Sequence, residues 1–398
     1  MTTQNKATFI NQVGIGDRVS SNCVWCRGNL HKVWDINELE EEWVVPMGSS
    51  FMRKNERATT STKHIISFNK CKQCNLRQIS SSSSIQVLGN INDHIHYREP
   101  EEHYEQIASE LCNLVGNKNE LRINYLNKKG EKLCEILQTK FKENTSNRTN
   151  ECQDLGSANI IIANRLLEHC NSHVILWGIF SGIAKDSLLV IEALDFNRNQ
   201  DKGNHSFVWD ERVSYFSLEY IKLYANLFGY ECIYERNYSE HAEPFWIAIL
   251  KRFNSSEPSD IELNNLRIEE DKCTRIEDSM KIVSSNCGFY LRNSGKVFYF
   301  VGIGHKAQFV AAMLKKLDQN VKINLYDSND QKIETIWDES EIQCISKLVK
   351  QCAGMSRIHI VFSFKGQLVD QLMEDIINQN ELAEFSHIGE WYSERDAK

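Results

Sequence analysis

Apolar and polar positions are arranged in three successive patterns along the 398 residues. Up to about residue 98 the apolar positions fall in short groups between polar ones, and the stretch closes on a serine run at 80–84. So little apolar periodicity gives a small core, which a segment of this size supplements with a staple such as a metal ion. From 99 to 255 the pattern switches between periods of 3.6 and 2. Ile107, Leu111 and Leu114 share one face of a predicted helix at 101–114, followed by a strand at 121–125 and a helix at 131–141. Apolar runs at 159–163 and 188–193 read as buried strands. Ser217 is a helix N-cap, and that helix ends before Gly229. Runs at 230–234 and 245–250 predict a closing antiparallel pair. A charged stretch and a poorly patterned one, together 256–294, read as a linker. The remainder, 295–398, opens with a strand at 296–301 that runs into Gly302-Ile303-Gly304. A helix at 308–317 and strands at 321–326 and 358–362 follow.

Alternation of strand and helix indicates a mostly parallel sheet. The expected fold class is therefore α/β: a small N-terminal metal-binding domain (1–98), a central Rossmann-like domain (99–255) and a smaller C-terminal Rossmann-like domain (295–398).

Composition narrows the function classes. Hydrophobic residues make up 41% and charged residues 25%, as in soluble globular proteins. A net charge of −8 argues against a nucleic-acid partner, because phosphate binding relies on basic surface. The longest apolar run, at 173–180, is too short to span a bilayer, and no charged-then-apolar leader opens the chain. Thirteen cysteines, nine of them outside two tight pairs, suit a reducing compartment, and the expected location is the cytoplasm.

Those two pairs carry the clearest chemistry. Cys23-Val-Trp-Cys26 and Cys71-Lys-Gln-Cys74 supply four soft ligands from two turns, the donor set of a structural zinc site. The other reading is unrelated reduced pairs or a redox dithiol, but a dithiol does not require a second matched pair.

The order of these segments resembles the sugar C-methyltransferases of natural-product and cell-surface deoxysugar pathways. The resemblance rests on Cys23-Val-Trp-Cys26-Arg-Gly, Val45-Pro46-Met47-Gly48-Ser49-Ser50-Phe51 and Cys71-Lys-Gln-Cys74-Asn-Leu. Further on it rests on Asp93-His94-Ile95-His96-Tyr97-Arg98, Asn164-Arg165-Leu166-Leu167-Glu168-His169 and the stretch from Phe207 to Ser217. It implies S-adenosylmethionine as cofactor and a nucleotide-linked keto-sugar, or a similar carbonyl compound, as substrate. His169, Glu211 and Tyr97 would be the catalytic groups. Such chemistry needs a base for the proton beside the carbonyl and donors for the enolate oxygen.

Three departures stand against that resemblance. The cofactor turn, normally glycine-rich, reads Leu121-Arg122-Ile123-Asn124-Tyr125-Leu126-Asn127-Lys128-Lys129-Gly130. Asn124 and Gly130 are thus the candidate cofactor contacts. Only 37 residues separate Ile123 from Ile160, too few for two further strands and a helix, so the sheet is expected to be abbreviated. Where the family has a tyrosine and a histidine, this chain has Trp209 and Arg212. Arginine cannot act as a base, which leaves the two as substrate-binding candidates, Arg212 for a diphosphate or as a surface partner of Asp210 or Glu211. The alternative to an enzyme is a non-methylating relative that binds a ligand or a protein partner. Gly302-x-Gly304-x-x-Ala307, with Asp327 twenty-five residues after Gly302, also fits a dinucleotide fingerprint loosely.

Overall fold

The computed structural model describes residues 22–35, 45–46, 52–53, 63–64, 66–81, 102–115, 122–141, 155–170, 173–201, 212–239, 244–254, 258–259, 262, 265, 275–294, 296–329, 332–337, 340–352, 358–363 and 367–392. They form two compact units. One comprises 1–35, 67–199 and 211–271, and the other 36–66, 200–210 and 272–398.

The first unit contains two sheets. The smaller has the order β1-β2-β3-β7, from β1 (Leu30–Asp35), β2 (Ile66–Cys71), β3 (Arg77–Ser81) and β7 (Ser214–Tyr215). The larger has the order β8-β9-β6-β5-β4. Its strands are β4 (Ile123–Tyr125), β5 (Ile160–Asn164), β6 (Leu188–Leu194), β8 (Tyr230–Tyr238) and β9 (Phe245–Arg252). Strands β4, β5 and β6 run parallel, and β9 is antiparallel to both β6 and β8. Every residue of β5 and β6 is buried, which explains why both read as continuous apolar runs rather than alternating ones.

Helices cover both faces of the larger sheet. On one face, Ile160, Ile162, Leu188 and Val190 pack with Tyr104, Ile107, Ala108 and Leu111 of α1 (Glu102–Val115) and with Leu133 and Leu137 of α2 (Glu131–Lys140). On the other, Ile161, Ala163, Leu189 and Ile191 meet Ile179 and Phe180 of α3 (His173–Gly182) and the aromatic stripe of α5 (Leu218–Leu227). A short α4 (Phe196–Asp201) follows β6. Ser217 caps α5 as expected, its Oγ accepting from Tyr220 N at 3.3 Å. Gly229 then takes φ 78°, the left-handed conformation that ends the helix.

The abbreviation expected from the spacing agrees with the strand order: among the described residues, β4 is the edge strand of its sheet. The cysteine pairs share the hydrophobic core of the second face, so within this unit they belong to the same body as the parallel strands.

The second unit is a Rossmann-like sheet. Five parallel strands lie in the order β15-β14-β10-β11-β13: β10 (Val297–Val301), β11 (Lys322–Asp327), β13 (Ser340–Cys344), β14 (Ile358–Phe362) and β15 (Ala383–His387). Antiparallel β12 (Thr335–Trp337) and the segment Met52–Arg53 extend one edge. Helices α6 (Arg275–Asn293), α7 (His305–Leu317), α8 (Leu348–Cys352) and α9 (Gln367–Ile377) complete it. Helix α6 lies wholly in the stretch read as a linker, which corrects that reading, and α7 begins three residues earlier than its pattern predicts.

Candidate functional site

The two cysteine turns are built alike. Cys23 N donates to Gly28 O and Arg27 N to Cys23 O, at 2.7 and 2.9 Å; Cys71 N donates to Leu76 O and Asn75 N to Cys71 O, at 2.8 and 3.1 Å. Arg27 and Asn75, each following the second cysteine of its pair, both take φ 63°. Amides point at the sulfurs: Gly28 N lies 3.4 Å from Cys26 Sγ, and Gln73 N lies 3.4 Å from Cys71 Sγ. A side chain at Gly28 would meet Gln73 Oε1 at 2.3 Å and Cys71 Sγ at 2.9 Å, so the first turn has room only for glycine.

The four sulfurs are buried and lie within 4.8 Å of one another. Cys23 and Cys74 are 3.6 Å apart, Cys26 and Cys71 3.4 Å. A tetrahedral metal with sulfurs at about 2.3 Å spaces them roughly 3.8 Å apart, whereas a disulfide requires about 2 Å. Burial pushes the Cys23 thiol up, while a hydrogen bond from Cys23 pulls Cys71 down. Four thiolates this close would repel one another, and a single soft cation would offset that repulsion. The donor set fits one structural metal ion.

This cluster also fixes its surroundings. Trp25, between the first two cysteines, is fully buried against Phe216, Tyr220 and Tyr224, at centroid distances of 5.3, 5.2 and 4.5 Å. Its Nε1 donates to Ser214 Oγ at 3.4 Å. Gln78 accepts from Val24 N and donates to the same Ser214 Oγ. Strand β7 is thereby pinned to the cysteine turns, and Arg212 lies just ahead of it.

The second cluster lies at the carboxyl ends of β4, β5 and β6, where parallel sheets place ligands. Asn124 on β4 is 2% exposed, and neither its Oδ1 nor its Nδ2 has a partner. Asn127 donates to Asn164 O at 2.6 Å and leaves its own Oδ1 unpaired. Asn164 ends β5; its Nδ2 donates to the Tyr104 hydroxyl at 3.3 Å, and its Oδ1 is unpaired. Glu168, in the turn after β5, is buried with Oε2 unpaired. Burial pushes its carboxyl above the ordinary range, only partly offset by Arg165 and Arg212. Each such atom costs about 1–3 kcal/mol when nothing bonds it, so several together at one sheet end need an explanation.

Glu192 of β6 is the charged centre of this end. It pairs in register with Asn164 and is 1% exposed. Arg165 Nε donates to its Oε1 at 2.8 Å, and His103 Nε2 lies 3.1 Å from its Oε2. Burial alone would raise this carboxyl, but His103 and Arg165 outweigh burial and hold it below its ordinary value. Arg165 is itself strained, at φ 47°, a conformation rare outside glycine and asparagine.

The expected site residues do not share one face of the sheet: Asn124 is in register with Ile161, three residues before Asn164, and so faces opposite to Asn164 and Glu192. Asn124 lies on β4, His169 ends the turn that carries Glu168, and Arg212 acts electrostatically on Glu168. Arg212 is 8% exposed, which corrects its reading as a surface partner of Asp210 or Glu211. Gly130 has an ordinary φ of −78°. A Cβ there would meet Tyr125 Cβ at 2.9 Å and Ile162 Cγ2 at 3.1 Å, so it is a close-packing glycine that seats α2 on the sheet. Tyr97, Trp209 and Glu211 lie outside the described residues.

Sequence reasoning missed Glu192, Arg165, Asn164, Glu168 and His103 as site members. One signal was available: Glu192 is the single charge in an otherwise apolar strand. His103 gives no comparable signal.

The dinucleotide-like turn of the second unit is differently engaged. Asp327 Oδ2 accepts from Ile303 N at 2.8 Å and from Lys332 Nζ at 3.1 Å, and Lys332 also donates to Ile303 O at 2.8 Å. The carboxylate that such a site offers to a ribose is already bonded from two sides.

No protein-family model matches the sequence, and no curated protein matches it. Solved structures similar to the chain include methyltransferases. One is a S-adenosylmethionine-dependent methyltransferase from Clostridium acetobutylicum ATCC 824, at 9% identity and TM-score 0.27, covering 39% of this chain and 94% of that one. Another is magnesium protoporphyrin IX methyltransferase from Synechocystis PCC 6803 with bound SAH, at 13% identity and TM-score 0.27, covering 40% and 91%. A third is Haemonchus contortus phosphoethanolamine N-methyltransferase 2 in complex with S-adenosyl-L-methionine, at 13% identity and TM-score 0.25, covering 73% and 64%. Likeness at this level carries no argument about activity, which has to come from the residues.

Proposed function

We propose that this chain is a S-adenosylmethionine-dependent C-methyltransferase-like protein acting on a nucleotide-linked keto-sugar or similar small carbonyl compound, in a deoxysugar or natural-product pathway of the cytoplasm. The observation that carries the reading is the set of unpartnered buried polar atoms along β4 and at the carboxyl end of β5: both amide atoms of Asn124 on β4, Asn127 Oδ1 just after it, and Asn164 Oδ1 and Glu168 Oε2 at and after the end of β5. Bonding these atoms to a polar ligand removes their desolvation cost, which is how a preorganised cleft gains affinity.

In this reading zinc is structural and is held by Cys23, Cys26, Cys71 and Cys74. Its contribution to the site is indirect, through Trp25, Gln78 and Ser214, which fix the strand that follows Arg212. S-adenosylmethionine, when bound, supplies the electrophilic methyl group. Asn124 and Asn127 would hold its polar groups, and Gly130 keeps the neighbouring turn close to the sheet. Arg212 offers a permanent positive charge to a sugar diphosphate. His169, Glu211 and Tyr97 are the residues the family resemblance puts beside the sugar, and Trp209 is placed with them.

The test is incubation of zinc-loaded protein with methyl-labelled S-adenosylmethionine and a nucleoside-diphosphate-linked 4-keto-6-deoxyhexose. Label on a sugar carbon next to the carbonyl is the expected result. Sugar binding without transfer would favour the second reading, a non-methylating ligand-binding relative, which the edge position of β4 supports. Neither binding nor transfer would refute both.

A further inference from the structure

Among the described residues two histidines, His103 and His359, are buried beside a glutamate, and they differ in one respect. His359 of β14 uses both ring nitrogens: Nε2 lies 2.7 Å from Ser386 Oγ and Nδ1 lies 3.4 Å from Glu384 Oε2. His103 uses one. Its Nε2 bonds Glu192, and its buried Nδ1 has no partner.

The identity of the partner settles the tautomer. Glu192 already accepts from Arg165, and the pair of donors keeps it ionised, so the nitrogen facing it must carry a hydrogen. In a neutral imidazole that leaves the Nδ1 lone pair free to accept. A carboxylate on the far nitrogen fixes the ring's orientation and would stay paired with the imidazolium formed when Nδ1 takes a proton. The ring is held among Tyr104, Tyr238 and Phe245, at centroid distances of 4.2, 5.2 and 5.0 Å. Arg165 grips Glu192 twice, through Nε and through its backbone N–H to Glu192 O at 2.8 Å. Its guanidinium also lies 4.8 Å from the centre of the Phe245 ring. A strained arginine that fixes a glutamate, which fixes a histidine with one free lone pair, has the logic of an oriented general base.

We propose that His103 Nδ1 is the proton acceptor of the site at the carboxyl ends of β5 and β6, with Glu192 and Arg165 as its positioning residues. The inference rests on the reading of that site as one for a small carbonyl compound. In the step assigned to it, the C–H bond next to the carbonyl breaks and its proton moves to Nδ1. The electron pair shifts into the carbonyl to give an enolate, while the new imidazolium stays paired with the Glu192 carboxylate. Without a methyl acceptor step, the enolate recovers a proton from the same nitrogen, so the step is balanced and reversible.

Reversibility provides an assay that does not depend on methyl transfer. The nucleoside-diphosphate-linked 4-keto-6-deoxyhexose is incubated with zinc-loaded protein in deuterium oxide, with no methyl donor, and exchange beside the carbonyl is followed by proton NMR. Nitrogen-15 NMR of the wild-type histidines reports the tautomer and midpoint of His103. The groups that face it are Glu192 from β6, Arg165 from the turn after β5, Tyr104 on its own helix and Tyr238 from β8.

Wild-type protein is expected to catalyse exchange, and His103→Gln to lose at least about 100-fold, the usual worth of a positioned base. The acid limb of the wild-type rate should coincide with the His103 midpoint, a test that stands even where the variant folds poorly. A folded His103→Gln that exchanges like wild type, or an acid limb unrelated to His103, would overturn the assignment and leave the functional reading intact. No exchange by a wild-type protein that binds S-adenosylhomocysteine and the sugar would overturn the base alone. No exchange and no binding would overturn both.

Discussion

The two parallel sheets of this chain differ in how fully their buried polar groups are bonded. In the second unit, Asp327 is bonded by Ile303 N and Lys332, and His359 by Ser386 and Glu384. Its remaining unpaired buried side-chain atoms, among the described residues, are Gln308 Nε2 and Ser363 Oγ. In the first unit, Asn127, Asn164, Glu168 and His103 leave atoms unbonded at or beside one sheet end, Asn124 leaves two within β4, and Tyr220, Tyr224 and Trp246 leave others in the core. The difference teaches where a ligand belongs. Buried polar groups that are fully bonded specify a fold, whereas a cluster left open in one place implies an absent partner.

Breaking the frame beneath the open sheet should have the largest effect. Cys71→Ser removes one of four ligands from a buried cluster that shares the core with α5 and β6. About one equivalent of zinc should be lost, along with several kcal/mol of stability, because structural metal binding is folding free energy. Metal analysis beside a thermal melt checks this, and unchanged metal content would contradict it.

Glu192→Gln comes next, at about 3–5 kcal/mol, since it strands a buried Arg165. The pH dependence has a definite sign. Because the folded-state value of Glu192 is depressed, its stabilisation is present above the ordinary glutamate value and disappears as pH falls through the depressed one. Denaturant melts of wild type and variant should therefore converge in acid.

Lys332→Met tests the closed sheet. Asp327 then keeps two backbone donors, Ile303 N and Asn329 N, and loses its cation, at a cost of about 3 kcal/mol. Adding Asp327→Asn should recover much of that loss in the same melts, and neither change should alter ligand binding by the first unit.

The open sheet should respond in the reverse direction. Asn124→Leu removes two unpaired amide atoms and should raise stability by about 1 kcal/mol while abolishing ligand binding. Glu168→Gln should act similarly and with pH. Burial raises the Glu168 carboxyl, so the folded state binds more protons than the unfolded one, and wild-type stability falls as pH rises from the ordinary carboxylate range toward the raised value. The variant should be the more stable at neutral pH, with the gap closing in acid.

Much of this was legible in the sequence. The cysteine spacing located the four-sulfur cluster, because two matched turns leave a periodic and chemically specific trace. The apolar runs at 159–163 and 188–193 located β5 and β6, and Ser217 and Gly229 bounded α5, since caps and buried strands are local signals. The short interval after Ile123 anticipated a sheet that, among the described residues, ends at β4. The pairings across elements were not legible. His103 meets Glu192 over 89 positions, and Asn164 meets Tyr104 over 60. The closure of the glycine turn by Lys332 was equally hidden. A lysine just after a strand reads as surface until the fold carries it over Ile303. Helix α3 escaped notice as a helix because its apolar residues surround it and show no period.

The central claim is that the unpaired groups at the carboxyl ends of β4 to β6 form a ligand site and that the second unit's glycine turn is structural. Calorimetric titration of S-adenosylhomocysteine into zinc-loaded wild type, Asn124→Leu and Lys332→Met tests it most directly. The account predicts micromolar binding to wild type and Lys332→Met and none to Asn124→Leu. No heat with wild type, or equal heat with Asn124→Leu, would contradict it.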